Sequence, residues 1–227
     1  GLLLHIGVDD GEGGLAGDDV LQPAEVDETV RICATDLRAG PLSDLSSGSA
    51  NSVTGGCDAM SHINGELYAA MVDGIHGCEL HLFSDGWRAP HLVADLNPSG
   101  DAQPGLHLGL HDGGDHAAVL FDATGANGRH DLWALNGTGT APVRLTADAS
   151  GDTVDGDSTL VPWLDGYVLT RPGGVGLPWW TDGTPGGTMT LDLHPAFAGG
   201  DALRQWATGI HRMGLDLVAV STEGLWM

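Results

Sequence analysis

The residues best suited to chemistry lie in one short stretch, 107–116, which holds three histidines and two aspartates. If this stretch is a strand, His107 and His111 project to the same side, because side-chain direction alternates along a strand. Together with His116 they form a candidate site for zinc or another divalent cation. Against a metal site stands the composition, because the chain has 11 histidines and no other segment repeats this set.

Acidic turns form a second class of candidate site. Two of them stand out: Asp152, Asp155 and Asp157 in one, and Asp9, Asp10 and Glu12 in the other. Calcium takes oxygen ligands from flexible turns of this kind. The 152–157 segment lacks the full spacing of an EF-hand loop and its distal glutamate, so the alternative is a solvated acidic turn. Calcium is the cofactor that these acidic turns suggest.

The sequence lacks the common catalytic motifs. It contains no Gly-x-Ser-x-Gly elbow, no His-Glu-x-x-His and no phosphate-binding loop. A pair of carboxylates for glycoside cleavage cannot be singled out among so many aspartates. No catalytic residue is therefore assigned.

The strands that would position these candidates are indicated by a recurring sequence pattern, which we call the phrase. It occupies residues 131–138, recurs at 178–184 and at the chain end, 224–227, and has a degraded copy at 79–86. Trp133 and Trp179 are 46 residues apart, and Trp179 and Trp226 are 47 apart. A fixed period of this size indicates a propeller or a solenoid. Each tryptophan strand is followed by residues that tolerate positive φ, which favours a tight turn: Asn136 and Gly137 in one copy, and Asp182 and Gly183 in the next.

A second phrase, an apolar strand that ends at a glycine, repeats with nearly the same period as the first. Its closing glycines fall at positions 77, 128, 176 and 224. Each repeat then offers four short strands, which is the content of one propeller blade. In the second repeat the third strand is expected at 105–110, and only 201–213 offers a helical turn. A solenoid is disfavoured because no capping repeat is present. We therefore predict an all-β, single-domain β-propeller over residues 1–227, with about five blades, or four and an overlapping partial blade.

The phrase carries a family resemblance. The pattern Glu-Leu-Trp-x-x-Asp-Gly-Thr, present here in parts as Glu79-Leu80, Trp133 and Asp182-Gly183-Thr184, resembles the ELWxxDGT repeat proteins of bacteria. The resemblance covers nearly the whole chain except about 14–56. It implies a secreted or surface protein with a propeller-like repeat architecture and no reaction assigned to the repeat. For the three repeated tryptophans, packing between blades is favoured over stacking on a carbohydrate.

The charge of the chain restricts its partners. Eight basic residues, all of them arginine, stand against 31 acidic ones, giving a net charge of −23. Such a surface repels nucleic acid and anionic lipid, so both are excluded as partners. It suits calcium, a cationic partner or solubility in high salt. No apolar run approaches the roughly 18–20 residues of a membrane span, so membrane insertion is excluded as well.

The three cysteines, Cys33, Cys57 and Cys78, cannot all pair with one another. Cys33 and Cys57 flank the irregular part of the first repeat, which includes a Ser/Gly-rich insertion at about 38–56. A disulfide between them would staple that segment in a secreted protein. The alternative is three buried, small apolar residues.

These features favour a non-catalytic protein that is secreted, periplasmic or on the cell surface. We expect it to bind another protein or a surface assembly, or to act as an accessory subunit of a larger complex. The alternative is a hydrolase or lyase acting on an extracellular polysaccharide or other polymer. Such an enzyme would break the repeat by gathering several His, Asp or Arg residues in one cavity.

Overall fold

The structure, a computed structural model, consists of antiparallel β-sheets joined by turns. It describes residues 52–84, 89–113, 118–137, 139–147, 153–170, 178–191, 206–221 and 224–226. All of these lie in one compact unit, Leu42–Met227, and the other unit, Gly1–Pro41, is outside them. No α-helix occurs in the described ranges, and hence none that could span a membrane. The all-β prediction is therefore confirmed for this part of the chain.

The described residues contain fifteen strands in four sheets, and within each sheet the strands follow one another in chain order. Sheet 1 contains β1 (Met60–Ile63), β2 (Glu66–Val72), β3 (Cys78–Ser84) and β4 (Ala89–Ala94). Sheet 2 contains β5 (His111–Asp112), β6 (Ala118–Thr124), β7 (His130–Asn136) and β8 (Val143–Arg144). Sheet 3 contains β9 (Thr159–Trp163), β10 (Gly166–Thr170), β11 (Trp179–Thr181) and β12 (Met189–Thr190). Sheet 4 contains β13 (Trp206–Met213), β14 (Asp216–Ser221) and β15 (Gly224–Trp226).

The sheets are offset from the repeat that the glycines delimit. The predicted second repeat covers β3 to β6, but β3 and β4 belong to sheet 1, whereas β5 and β6 belong to sheet 2. The reason is that the two recurring phrases pair with each other as neighbouring antiparallel strands. Leu67 pairs with Phe83 at one end of the β2–β3 ladder, and Phe121 pairs with Trp133 in the β6–β7 ladder. Each sheet is thus built around this pair of strands.

One local prediction is wrong. Residues 105–110 do not form a strand, because Gly105 and Gly109 have φ of 68° and 75°, and the Gly109 N–H donates to the Gly105 carbonyl at 3.2 Å. The first strand of sheet 2 begins only at His111. The segment 201–213, which alone offered a helical turn, forms none in its described part, where Trp206–Met213 is the long strand β13.

Consecutive sheets pack face to face through three apolar interfaces. The first interface lies between sheets 1 and 2 and includes Tyr68, Leu80 and Phe121. The second lies between sheets 2 and 3, and the third, around Trp163 and Ile210, lies between sheets 3 and 4. Sheet 2 is buried on both faces, because alternate residues of β6 enter different interfaces. Val119, Phe121 and Ala123 enter the first, and Ala118 and Leu120 the second.

The edges of the sheets are not equally distant from their neighbours. Among the described strands, two first strands lie close to the first strand of a neighbouring sheet: β1 lies beside β5, and β9 beside β13. The first-strand edges of sheets 1 and 2, and those of sheets 3 and 4, therefore lie close together.

Candidate functional site

Two of the three histidines of the predicted metal site, His107 and His111, are described, and each contacts a different partner. Because the segment before β5 is bent, His107 and His111 do not share a strand face. The His111 Nε2–H donates to the Leu108 carbonyl, whereas the His107 ring meets the His130 ring edge-on, with centroids 5.1 Å apart. His116 lies outside the described residues. Over the described ranges, no group of three His, Cys, Asp or Glu residues is arranged to hold a metal ion.

The described part of the first predicted calcium turn closes on itself. Asp155 Oδ1 accepts hydrogen bonds from the Asp157 N–H at 3.1 Å and the Ser158 hydroxyl at 3.0 Å. The Asp155 N–H in turn donates to Ser158 Oγ at 2.9 Å. This is the self-capping role of aspartate in turns. The remaining calcium candidates, Asp152, Asp9, Asp10 and Glu12, lie outside the described residues.

The repeated tryptophans occupy matching places in successive sheets. Trp133 lies on β7 and packs against the first interface, and Trp179 lies on β11 and packs against the second. Both are partly buried, and Trp133 Nε1 donates to the Ala123 carbonyl at 3.0 Å. Trp226 lies on β15, opposite Ala219.

The turns after the first two tryptophan strands have the backbone that their residues suggest. Gly137 follows Asn136 at the end of β7 with φ of 93°, and Gly183 has φ of 88°. Asp182 Oδ1 accepts both the N–H and the hydroxyl of Thr184, at 2.8 and 2.7 Å. These residues therefore shape their turns.

The possible disulfide between Cys33 and Cys57 is not formed, because Cys57 is bonded to Cys78 instead, with Cα atoms 5.8 Å apart. The Val72 N–H donates to the Ser52 carbonyl at 2.8 Å, so the segment before Cys57 runs beside β2. The register places Cys78 opposite Val72, which brings the two sulfurs together. Cys33 lies outside the described residues.

Several polar groups, which no sequence motif predicts, surround the buried carboxylate of Asp122. Its Oδ1 accepts the Leu108 N–H at 2.9 Å, and its Oδ2 accepts the His107 N–H at 3.0 Å. His130 Nε2 also donates to Oδ2, at 2.7 Å. With Nε2 protonated, His130 Nδ1 accepts the Thr124 hydroxyl at 2.8 Å. We call His107, Asp122, Thr124 and His130 the Asp122 centre.

In the Asp122 centre, the Thr124 hydroxyl, the His130 imidazole and the Asp122 carboxylate are hydrogen-bonded to one another in that order. Such a chain can activate a hydroxyl as a nucleophile when a neighbouring donor stabilises the resulting oxyanion. Nearby backbone donors are occupied. The Thr124 N–H donates to the Ala102 carbonyl at 2.8 Å, and the Gly125 N–H to the Arg129 carbonyl at 3.0 Å. The centre therefore ties the 105–108 turn to β6 and β7 and holds one proton-accepting imidazole.

The Asp122 centre and the disulfide occupy the same register position in neighbouring sheets. Cys78 opens β3 opposite Val72, as His130 opens β7 opposite Thr124. Counted along the sequence from the paired residues of β1 and β5, Cys57 precedes sheet 1 at the position where His107 precedes sheet 2, although neither residue lies in a strand. A covalent tether in sheet 1 therefore corresponds to an imidazole–carboxylate tether in sheet 2.

A further carboxylate sits at the start of each of the two tryptophan-type strands β3 and β7. Glu79 is fully buried and accepts the N–H groups of Leu96 and Asn97 at 2.9 and 3.4 Å. Burial raises the pKa of Glu79 to about 7 despite these bonds. The second carboxylate is Asp131. Glu79 and Asp131 both lie at the glutamate position of the repeated phrase, and this position is the sequence signal for them.

Asp131 is also fully buried but has cationic partners. Arg129 Nη2 and Arg144 Nη1 lie 3.1 and 3.3 Å from its two oxygens. The hydroxyls of Thr146 and Thr153 donate to Oδ1, each at 3.2 Å. Like Glu79, Asp131 fixes the chain that follows the fourth strand of its sheet.

Comparison with protein-family models, with curated proteins and with solved structures finds no match for this chain. The resemblance to the ELWxxDGT repeat proteins therefore depends on the quoted residues alone.

Glu79 should make the stability of the fold depend on pH. Its pKa is about 7 in the fold against 4.5 ordinarily, so its stabilising contribution is fully present below about pH 4.5 and is lost as pH rises through about 7. The loss amounts to about 3 kcal/mol. Urea unfolding of the wild type and Glu79→Gln at pH 4.5–8.5 measures it. We expect their difference in unfolding free energy to shift in favour of the variant as pH rises, whereas Ile75→Gln should follow the wild type. Parallel curves for Glu79→Gln would contradict this role.

Cys78 and His130 have the same register in their sheets, and the His107 and His130 rings are 5.1 Å apart, which predicts that a second disulfide can be installed there. We expect His107→Cys/His130→Cys, combined with Asp122→Ala to match Ala70 of sheet 1, to form it in a Cys33→Ser background. Oxidised, denatured protein should then contain no free thiol by mass spectrometry after alkylation. The single variant His107→Cys, its control, should retain one alkylated cysteine. Two free thiols in a folded triple variant would show that the positions are not equivalent.

Proposed function

We propose that the chain is a β-propeller that acts as a non-catalytic protein-binding module outside the cytoplasm. The ring arrangement is supported by two features of the described sheets: sheets 2 and 3 bury both faces against their neighbours, and the first strands of sheets 1 and 2, and of sheets 3 and 4, lie side by side. In a propeller the blades pack in this way around an axis. The matching places of Trp133 and Trp179 between sheets agree with one blade per sheet.

The binding role is supported by the hydrogen bonds that the buried acidic side chains accept. Glu79, Asp122 and Asp131 are fully buried and bond to the turns and strand ends of their own sheets. Groups used in this way shape the exposed loops, and loops held by a rigid scaffold are the usual place for binding residues. The net charge of −23 then favours a basic partner.

A position outside the cytoplasm is supported by the Cys57–Cys78 disulfide, because structural disulfides persist in oxidising compartments. The resemblance to the ELWxxDGT repeat proteins points the same way, to a secreted, periplasmic or surface protein.

Affinity capture from envelope and secreted fractions of the source cells tests the binding role. We expect the immobilised protein to retain a defined basic protein that an unrelated, equally acidic control protein does not retain. Salt at about 0.5 M should weaken the capture, because exposed charges are then strongly screened. A parallel sample with chelator tests whether calcium bridges the two. If both columns retain the same proteins, the specific binding role is refuted.

The hydroxyl–imidazole–carboxylate chain of the Asp122 centre favours a second candidate function, a hydrolase acting on an extracellular polymer. Sheet 1 has Ala70, Val72 and the disulfide at the matching positions, so sheet 2 departs from its neighbour there. Assays on polysaccharide, peptide and ester substrates test it. If the protein is such a hydrolase, Thr124→Val should abolish turnover while the variant remains folded. Equal turnover by the wild type and Thr124→Val, or no turnover by either, would refute the hydrolase function.

A further inference from the structure

Three large apolar side chains project into solvent at one end of sheets 3 and 4. Leu164 is 53% exposed, Met213 62% and Leu215 77%. All three lie in the hairpins that join first to second strands, β9 to β10 and β13 to β14. We call them the hairpin-tip patch.

The hairpin-tip patch is held as one surface. Trp163, buried in the third interface, donates its Nε1–H to the Leu215 carbonyl at 3.0 Å, which links the two hairpins. The strands beneath, β9 and β13, are one of the two closest pairs between sheets. The three apolar side chains therefore stand on a rigid base that is itself part of the core.

The backbone at Leu164 indicates that an apolar side chain is retained at a conformational cost. Its φ is 54°, a left-handed conformation that is uncommon for any residue except glycine, asparagine and aspartate. The corresponding hairpin of sheet 1 uses Asn64 and Gly65 there, with φ of 53° and 84°. An unfavourable backbone in an exposed position is a reason to look for a binding role.

Charge decides what can cover the patch. Asp165 and Asp216 are exposed beside the apolar side chains, and exposed Arg212, whose Nε donates to the Gly214 carbonyl at 2.7 Å, offsets one of them. A second copy of this chain is disfavoured, because each copy carries −23. A basic segment would instead be attracted by the chain while its apolar side chains cover the patch.

We propose that the hairpin-tip patch docks a basic partner segment that presents alternating apolar side chains. The proposal rests on the proposed binding function and names its surface. The apolar contacts supply affinity, and the acidic surroundings raise the rate of association and exclude acidic competitors.

Binding of fluorescein-labelled synthetic peptides, measured by anisotropy, tests the proposal. The probe alternates Arg and Leu, and matched peptides alternate Arg with Ser and Glu with Leu. We expect the Arg/Leu peptide to bind at 50 mM salt and to bind more weakly at 300 mM, and the other two to bind at least tenfold more weakly. Met213→Ser/Leu215→Ser should weaken the Arg/Leu peptide about tenfold or more, because burying one leucine already accounts for about that factor.

Leu164→Asn separates binding from folding. Asparagine tolerates the left-handed backbone, so this variant should unfold at the same temperature as the wild type or higher and yet bind the Arg/Leu peptide more weakly. Ile75→Ser is the matched control, because Ile75 is 83% exposed but lies in the β2–β3 turn at the opposite strand end. Its affinity should equal that of the wild type.

The outcomes distinguish the patch from the general function. If the wild type binds the Arg/Leu peptide and the folded patch variants bind it equally well, the patch assignment is refuted and the binding function stands. If the wild type binds none of the peptides, or all three alike, a basic apolar partner at this surface is refuted, and capture from the source fractions decides separately whether the protein binds a partner at all.

Discussion

The packing of consecutive sheets against each other on both faces is the constraint from which the other features follow. A strand such as β6 has no solvent face, so its residues must be apolar on either side, from Val119 to Ala123 with Asp122 as the exception. Polar groups are then confined to strand ends and turns, and any that remain inside must be fully bonded. Asp122 meets this condition with two backbone donors and an imidazole.

Much of the fold could be predicted because its signals are local. Alternation, turn residues and the recurring tryptophan phrase placed most strands to within a few residues, and the Asn64–Gly65 hairpin has the positive φ values expected of that pair. The grouping of strands into sheets was less accessible, because a repeat has no natural starting point in the sequence. Only the hydrogen bonds show that β4 and β5 belong to different sheets.

The polar sites were poorly predictable for a different physical reason. His107 was assigned to a strand face, but its actual neighbours, Asp122 and His130, approach it through pairing across sheet 2 and the bend at Gly105. Cys78 likewise meets Cys57 through the ladder of β2 and β3. Contacts of this kind depend on register between strands, and a single sequence contains little information about register.

The order of strands within the sheets has a consequence for how the chain assembles. Each described sheet is a meander whose hydrogen-bonded partners are immediate neighbours along the chain, and the three apolar interfaces between described sheets join sheets that are consecutive in sequence. All-β proteins usually fold slowly because distant segments must find one another. Here a newly synthesised sheet can dock on the one that left the ribosome just before it, and few exposed strand edges have to wait for a distant segment.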